Sequence, residues 1–260
     1  MKARLVALIP FAVAIAAYLV ASHLRLAENP QDKILPSLGQ MWEAIQRLAF
    51  APDPQNGDYV WWKDTWASLK RIGIGVGAAA ALALLAGLNM GLRRWMKDLL
   101  GDFLTFVSMV PPLAILPILF ISLGVDELSK VVLIFIGVFP VMARDMLFTV
   151  EKIPREQVTK AITLGASKWD VIYRIVMPQV IPRLVDNVRL ALGAAWLFLI
   201  AAEAIAATEG LGYRIFLMRR YLAMDVILPY VAWIVVLGFA LDWSLRAIVS
   251  RFYGWYLVTK

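Results

Sequence analysis

The chain contains no cysteine and a single histidine, His23, among its 260 residues. The absence of cysteine excludes disulfide bonds, thiolate metal sites and cysteine nucleophiles. One histidine cannot supply a site that needs several imidazoles. Charged residues are also scarce, at 17% of the chain, whereas a soluble domain has about 25%. We therefore predict that this chain holds neither a metal site nor catalytic residues.

The apolar fraction is high, at 61% of the residues, compared with about 45–50% in soluble domains. A spanning helix needs roughly 20 mostly apolar residues, because the bilayer core is about 30 Å thick. The sequence therefore predicts an all-α, polytopic membrane protein, with residues 1–260 as a single transmembrane domain of about six helices. The predicted spans are approximately 5–22, 65–91, 99–123, 129–150, 184–207 and 226–249. For the first run a cleaved signal peptide is the alternative, since Lys2 and Arg4 precede it.

The distribution of Lys and Arg predicts the orientation of these spans. More of them fall on the cytoplasmic side if the N-terminus is placed there, although Arg219 and Arg220 run against this bias. We predict a bacterial inner-membrane protein with both termini in the cytoplasm. An outer segment, residues 23–64, and a cytoplasmic loop, residues 151–182, then lie outside the bilayer. In the outer segment, Ser37 is predicted to cap a short amphipathic helix.

The cytoplasmic loop has helical periodicity although it lies between two spans. Gly165 interrupts the pattern, and Pro178 and Pro182 are predicted to end the second of two short helices. The apolar residues predicted to share one face are Ala161, Leu164, Trp169, Ile172 and Val176. Spacing alone favours a helix that lies on the lipid surface; a lever between the flanking spans is the alternative.

The same loop resembles a motif of the permease subunits of bacterial ABC importers. That motif reads E-A-A, three residues, G, nine residues, I-x-L-P. This chain has Thr159-Lys160-Ala161, then Gly165, then Ile175 to Pro178, with the same spacing. Thr159, Lys160 and Met177 depart from it in residue type, and Thr159 is expected to cap the first helix instead. By this resemblance, the residues that couple the chain to an ATPase are Thr159, Lys160, Ala161, Gly165, Ala166, Ser167, Trp169, Ile175 and Pro178.

Further segments are similar to the nitrate, sulfonate and taurine branch of this family, in the family's order. They are residues 65–91, 111–117, 189–193, 201–203 and 209–213, and the resemblance covers about 35–249. It implies a type I ABC importer permease fold and a small anion such as nitrate, a sulfonate or taurine as substrate. The implied partners are a second permease copy, two ATP-binding subunits and a periplasmic or lipid-anchored binding protein, in contact with membrane lipid and not with nucleic acid.

The chain has no G-x-x-x-x-G-K-[ST] phosphate-binding loop. ATP and Mg are therefore expected on a partner subunit, with no cofactor in this chain. A secondary transporter and a membrane-embedded enzyme are the alternatives that need no ATPase. The sequence shows no internal repeat of the kind that many secondary transporters have, and its carboxylates are scattered.

Polar residues and breaks within the spans supply further candidates. Glu203 lies inside a predicted span, where burial of an ionisable group is costly, so both a pathway role and a structural pairing are open. Asp145 and Asp242 are predicted to be structural. Glycine pairs at 73/77 and 87/91 predict close helix packing.

The predicted third span contains prolines that are expected to break it. A gate and a plain kink are both open there. The pathway candidates are Ser108, Met109, Pro111, Pro112 and Glu203, with Pro117 as a further predicted break. By resemblance, the candidates for docking a binding protein are Glu209, Gly210, Leu211, Gly212 and Tyr213.

Overall fold

A computed structural model describes residues 9–29, 32–54 and 56–258 of the chain. This described part is helical, and no strand occurs in it. The helices are α1 Ile9–Glu28, α2 Leu38–Ile45, α3 Val60–Leu92, α4 Arg94–Met109, α5 Pro112–Leu123, α6 Glu127–Glu151, α7 Arg155–Thr163, α8 Lys168–Val171, α9 Met177–Ala206, α10 Leu211–Arg219, α11 Met224–Phe252 and α12 Gly254–Val258. Two π-helical turns, Gln46–Phe50 and Ile172–Val176, follow α2 and α8.

Four helices of the described part are long and apolar enough to cross a membrane, or five if one bent pair counts as a single span. These four long helices are Val60–Leu92, Glu127–Glu151, Lys168–Ala206 and Met224–Phe252, the third of which includes α8, the π-turn and α9. The predicted number of six spans is therefore not confirmed. The first predicted span overlaps α1, while residues 5–8, Lys2 and Arg4 lie outside the described residues.

Helices α3 and α6 pack together at the centre of the fold through glycine. A Cβ atom added at Gly87 would overlap Met146, and one added at Gly91 would lie 2.5 Å from the Cβ atom of Val150. Those two glycines confirm the predicted close packing, since any side chain would separate the helices. Gly73 and Gly77 have open space at this position, so the prediction does not hold for them within this chain.

The predicted third span is broken into α4 and α5, which are bent by 95°. Val110 has an extended backbone, with φ −73° and ψ 122°, and the residue before a proline disfavours the α conformation. Pro112 begins α5, where a missing N–H costs nothing. The predicted break at Pro111 and Pro112 is confirmed. The predicted break at Pro117 is wrong, since this residue lies inside α5 and its loss of one backbone hydrogen bond does not end the helix.

The segment of residues 23–64 contains the predicted capped helix. The Ser37 hydroxyl accepts from the backbone N–H of Gln40 at 3.2 Å, and the Gln40 side chain accepts from the Ser37 N–H at 2.8 Å. This capping box starts α2. The segment is also tied to α1, because the Tyr18 hydroxyl donates to the Pro36 carbonyl at 2.6 Å.

Candidate functional site

The two ends of the bundle are named after the first and last residues of α6, as the Glu127 end and the Glu151 end. Near the Glu127 end, Arg71 of α3 is buried and forms two ion pairs. Its Nη1 donates to Glu203 of α9 at 2.5 Å, and its Nε donates to Glu127 at 2.6 Å. Glu203 is completely buried, whereas the Glu127 side chain is 59% exposed. The Ser68 hydroxyl also donates to Glu203, at 2.8 Å.

The same cluster holds the start of α10. The backbone N–H groups of residues 210–212 donate, in order, to Asp64 at 2.9 Å, to Ser68 at 2.9 Å and to Glu203 at 2.8 Å. The first N–H groups of a helix have no partner within the helix, and negative charge is favourable beside them. The acidic side chains therefore anchor α10 to α3 and α9.

Gly210 allows this close approach. Its φ of +127° is rarely adopted by other residues, and an added Cβ atom would lie 2.5 Å from the Glu203 carboxylate and 2.7 Å from Arg71 Nη1. Of the docking candidates, residues 210–212 are buried inside the chain, and Glu209 and Tyr213 are half-buried. Docking of a binding protein at this segment stays a prediction. Within the chain, Gly210, Leu211 and Gly212 have a structural role, because their N–H groups fix the start of α10.

Asp64 extends the cluster to α10 and α11. It is buried, and its Oδ2 accepts from Arg214 Nε at 2.8 Å and from the Tyr230 hydroxyl at 3.1 Å. Sequence reasoning assigned no role to Asp64, Ser68 or Arg71. Their spacing held a signal, because positions i, i+4 and i+7 share one helix face, and a polar stripe there predicts partners on other helices.

Near the Glu151 end, the acidic residues of the long helices are paired too. Asp145 of α6 accepts from Arg183 Nη2 and from Asn187 Nδ2, each at 2.8 Å. Asp242 of α11 accepts from Arg189 Nε at 2.8 Å. These carboxylates cross-link helices, in agreement with the structural role predicted for Asp145 and Asp242. Glu203 is likewise paired across helices, and its pathway role stays a prediction.

The predicted coupling segment forms a tight turn between α7 and α8. Gly165 has φ +86°, its N–H donates to Ile162 at 2.9 Å, and the Ala166 N–H donates to Ala161 at 3.0 Å. This hydrogen-bond pair is a Schellman motif, which ends a helix and usually requires glycine at this position. Ser167 then caps α8, accepting from the Asp170 N–H at 3.2 Å. The predicted turn at Gly165 is confirmed.

Two details of that prediction are wrong. Thr159 is not a cap, because α7 begins four residues earlier, after Pro154. Leu164 and Trp169 do not share one helix face with Val176, since the turn at Gly165 breaks the helical periodicity. They are 80% and 67% exposed, while Val176 is buried.

Pro178 and Pro182 do not end the helix. Both lie in α9, which continues to Ala206. The π-turn before Pro178 explains this continuity, since the Met177 N–H reaches back five residues to the Ile172 carbonyl and the wider turn makes room for the proline ring. The loop thereby continues into a long helix without a break. Gln179 Nε2 of α9 also donates to Gln157 Oε1 of α7 at 3.1 Å, which links these two helices.

The bend between α4 and α5 brings one charged residue to the predicted pathway candidates. Ser108 is half-buried, and Met109 is exposed. Arg144 Nη1 of α6 donates to the Ser108 hydroxyl at 3.3 Å, and that hydroxyl donates to the Thr105 carbonyl at 2.7 Å. In the sequence, Arg144 contributes only to the Lys and Arg bias that predicts the orientation of the spans.

Long apolar helices, cross-linked by buried ion pairs, define the chain as a multi-pass α-helical membrane protein. Its sequence matches the family described as the binding-protein-dependent transport system inner membrane component, over residues 73–253. The chain therefore belongs to this family of ABC importer permease subunits. The family resemblance inferred from the sequence is confirmed.

Similar proteins agree with this assignment. The taurine transport system permease protein TauC of Escherichia coli (strain K12) is 34% identical over 215 residues, which are 82% of this chain and 78% of that protein. The nitrate import permease protein NrtB of Synechocystis sp. is 28% identical over 234 residues, which are 89% of this chain and 84% of that protein.

A solved structure shares the fold. One crystal form of the MetNI methionine ABC transporter, in an inward-facing conformation, contains a chain that is similar with a TM-score of 0.64. The match is 15% identical and covers 76% of this chain and 99% of that chain. The type I ABC importer permease fold predicted from the sequence is confirmed.

Proposed function

We propose that this chain forms the translocation pathway of an ATP-driven importer for a small anion, and that the turn between α7 and α8 is where a separate ATPase docks. A second copy of the chain completes the pathway, and a binding protein delivers the substrate. The Glu151 end then faces the cytoplasm, together with both termini. Family membership supports the importer, and the names of its relatives, which include taurine and nitrate permeases, support an anion.

The observation that carries the docking proposal is an apolar tip on a rigid turn. Leu164 and Trp169 are exposed there, and Trp169 stacks on Tyr173 with ring centroids 6.0 Å apart. Aromatic residues that protrude into water are typical anchors of protein interfaces. The turn itself is held by the Schellman motif and the Ser167 cap, so a force on the tip is transmitted to α9 without loss in a flexible linker.

The α7–α8 tip is also joined mechanically to the membrane helices. On one side it continues through the π-turn into α9, and on the other it follows α6 after only the short connection 152–154. Movement of the tip therefore moves two of the four long helices together. In the proposed cycle, ATP and Mg bind to the partner, and closure of two ATPase subunits shifts both tips and changes which side the pathway opens to.

The test is assembly of the complex with variant permeases. Trp169→Ala and Leu164→Ser are expected to reduce the amount of ATPase that co-purifies with the permease. The thermal stability is expected to change little, because both side chains are mostly exposed and Tyr173, on which Trp169 stacks, is exposed as well. Trp66→Ala removes an equally exposed tryptophan near the Glu127 end and is the matched control. Undiminished ATPase recovery with both tip variants would refute docking at this turn.

A further inference from the structure

Arg144 is an arginine well inside a membrane helix. It is half-buried and lies seven positions before the end of α6 at Glu151, about 10 Å along the helix. Placing a guanidinium at such a depth is costly unless it is paired or faces water, and such residues are candidates for a function.

Most basic side chains that lie at least three residues from either end of the four long helices have a carboxylate partner. They are Lys63, Arg71, Lys130, Arg174, Arg183, Arg189 and Arg246. Among the described residues at such positions, Arg144 and Lys70 have no carboxylate partner. Lys70 is exposed and lies at the level of Glu127, next to Arg71, where its flexible chain can reach water.

The Arg144 side chain makes one hydrogen bond to another residue of the described part. Its Nη1 donates to the Ser108 hydroxyl at 3.3 Å, which is long for a charged donor. The only fully buried side-chain nitrogen or oxygen without a partner in the described part is Trp196 Nε1. The other guanidinium nitrogens of Arg144 are therefore not fully buried within this chain. They form an open donor set beside the bend at Val110 to Pro112.

We propose that Arg144 binds the transported anion inside the membrane, with Ser108 positioning its guanidinium at the bend. This inference rests on the proposed function and adds the residue that contacts the substrate. The planar fork of N–H donors matches two oxygen atoms of a sulfonate, nitrate or carboxylate group. An unpaired arginine is suited to this role, because a carboxylate partner would compete with the anion.

The first experiment measures ATP-dependent uptake of labelled taurine and of labelled nitrate into proteoliposomes that contain the complete transporter and its binding protein. Arg144→Gln is expected to lower the maximal rate by about 10- to 100-fold, because the charge-assisted hydrogen bonds to the anion are lost. The KM is expected to stay the same, since it reports capture by the binding protein. Arg144→Lys keeps the charge and is expected to retain more of the rate.

The matched control is Arg246→Gln, which removes an arginine that is 62% exposed and paired with Asp242. Its uptake is expected to equal that of the unaltered complex. An unchanged maximal rate in Arg144→Gln would overturn the inference. So would equal losses in Arg144→Gln and Arg144→Lys with a lowered yield of assembled complex, which would show a purely structural arginine.

The second experiment uses the natural absence of cysteine in the chain. In Arg144→Cys, the thiolate attacks sulfonatoethyl or aminoethyl methanethiosulfonate, expels methanesulfinate and forms a mixed disulfide. Aminoethyl modification replaces the positive charge and is expected to restore uptake, while sulfonatoethyl modification is not. The unaltered complex, treated in the same way, corrects for reaction at partner subunits.

A cysteine at 144 that reacts with neither reagent would overturn the inference, because it would place this position away from water. Labelling needs no ATP, so it tests the exposure of position 144 independently of the importer assignment. Absence of ATP-dependent uptake by the unaltered complex, with normal labelling at 144, would instead count against the proposed function alone.

Discussion

Replacing Glu203 with glutamine removes the negative charge from the buried cluster near the Glu127 end without changing the size of the side chain. The carboxylate accepts from Arg71 at 2.5 Å, from Ser68 at 2.8 Å and from the Gly212 N–H at 2.8 Å. A glutamine has one carbonyl oxygen, and its amide nitrogen would face donors. Arg71 would then be buried with a single carboxylate partner, the exposed Glu127.

The magnitude follows from burial. Removing one partner of a buried ion pair costs about 3–5 kcal/mol, and the Glu203 side chain is completely buried. For a chain of this size, about 1 kcal/mol shifts the Tm by roughly 2–4 °C. Glu203→Gln is therefore expected to lower the Tm by about 6–20 °C. Glu127→Gln removes the other partner of the same arginine, but an exposed pair contributes only about 0–1 kcal/mol, so its Tm is expected to fall by less than about 4 °C.

The assay is thermal unfolding of the purified permease in detergent, followed by tryptophan fluorescence for the two variants side by side. The comparison is matched, because both substitutions are Glu to Gln and both act on Arg71. Equal shifts of the Tm would refute the argument that burial decides the strength of these pairs. A shift below about 3 °C for Glu203→Gln would mean that the start of α10 is not anchored by this carboxylate.

Two further predictions concern glycines. Gly165→Val is expected to uncouple ATP hydrolysis from uptake, because φ of +86° is strained for a β-branched residue. Asparagine tolerates this conformation, so the Gly165→Asn variant should stay coupled. Unchanged substrate-stimulated ATPase activity in the valine variant would contradict this prediction. Gly87→Ala is expected to destabilise the permease by about 1–3 kcal/mol, because the added methyl group would overlap Met146. Gly77 has open space around it, so Gly77→Ala should be neutral or stabilising by up to about 1 kcal/mol. Similar Tm values for the two variants would argue against α3–α6 packing at Gly87.

Local signals in the sequence were sufficient where the structure depends on a few adjacent residues. Ser37 starts α2 because its hydroxyl and Gln40 form a reciprocal cap. The bend after Val110 follows from two prolines in a row. The turn at Gly165 follows from the one residue in that loop that adopts a positive φ without strain. In each case the energy that decides the conformation comes from within one helical turn.

Two errors concern local features that the periodicity of the sequence did not show, and other features were missed because a residue's environment is distant in sequence. Pro178 was expected to end a helix, but a π-turn accommodates it and α9 continues. Leu164 and Trp169 were assigned to a face by periodicity that the turn interrupts. Docking at residues 209–213 stays a prediction, but the burial of Gly210 and Gly212 could not be read from the sequence, because acidic side chains of α3 and α9 reach their N–H groups.

By itself, the sequence determined that the chain is a helical membrane protein, which family it belongs to, and where its local caps, turns and breaks lie. These properties depend on composition and on neighbouring residues. Only the tertiary structure decided which charges are paired. Arg71 and Glu203 are 132 positions apart, and the side chain that reaches Arg144 at the bend is Ser108, which offers a hydroxyl and not a carboxylate. In an apolar bundle the location of each charge depends on the partners that other helices bring to it, because lipid supplies none.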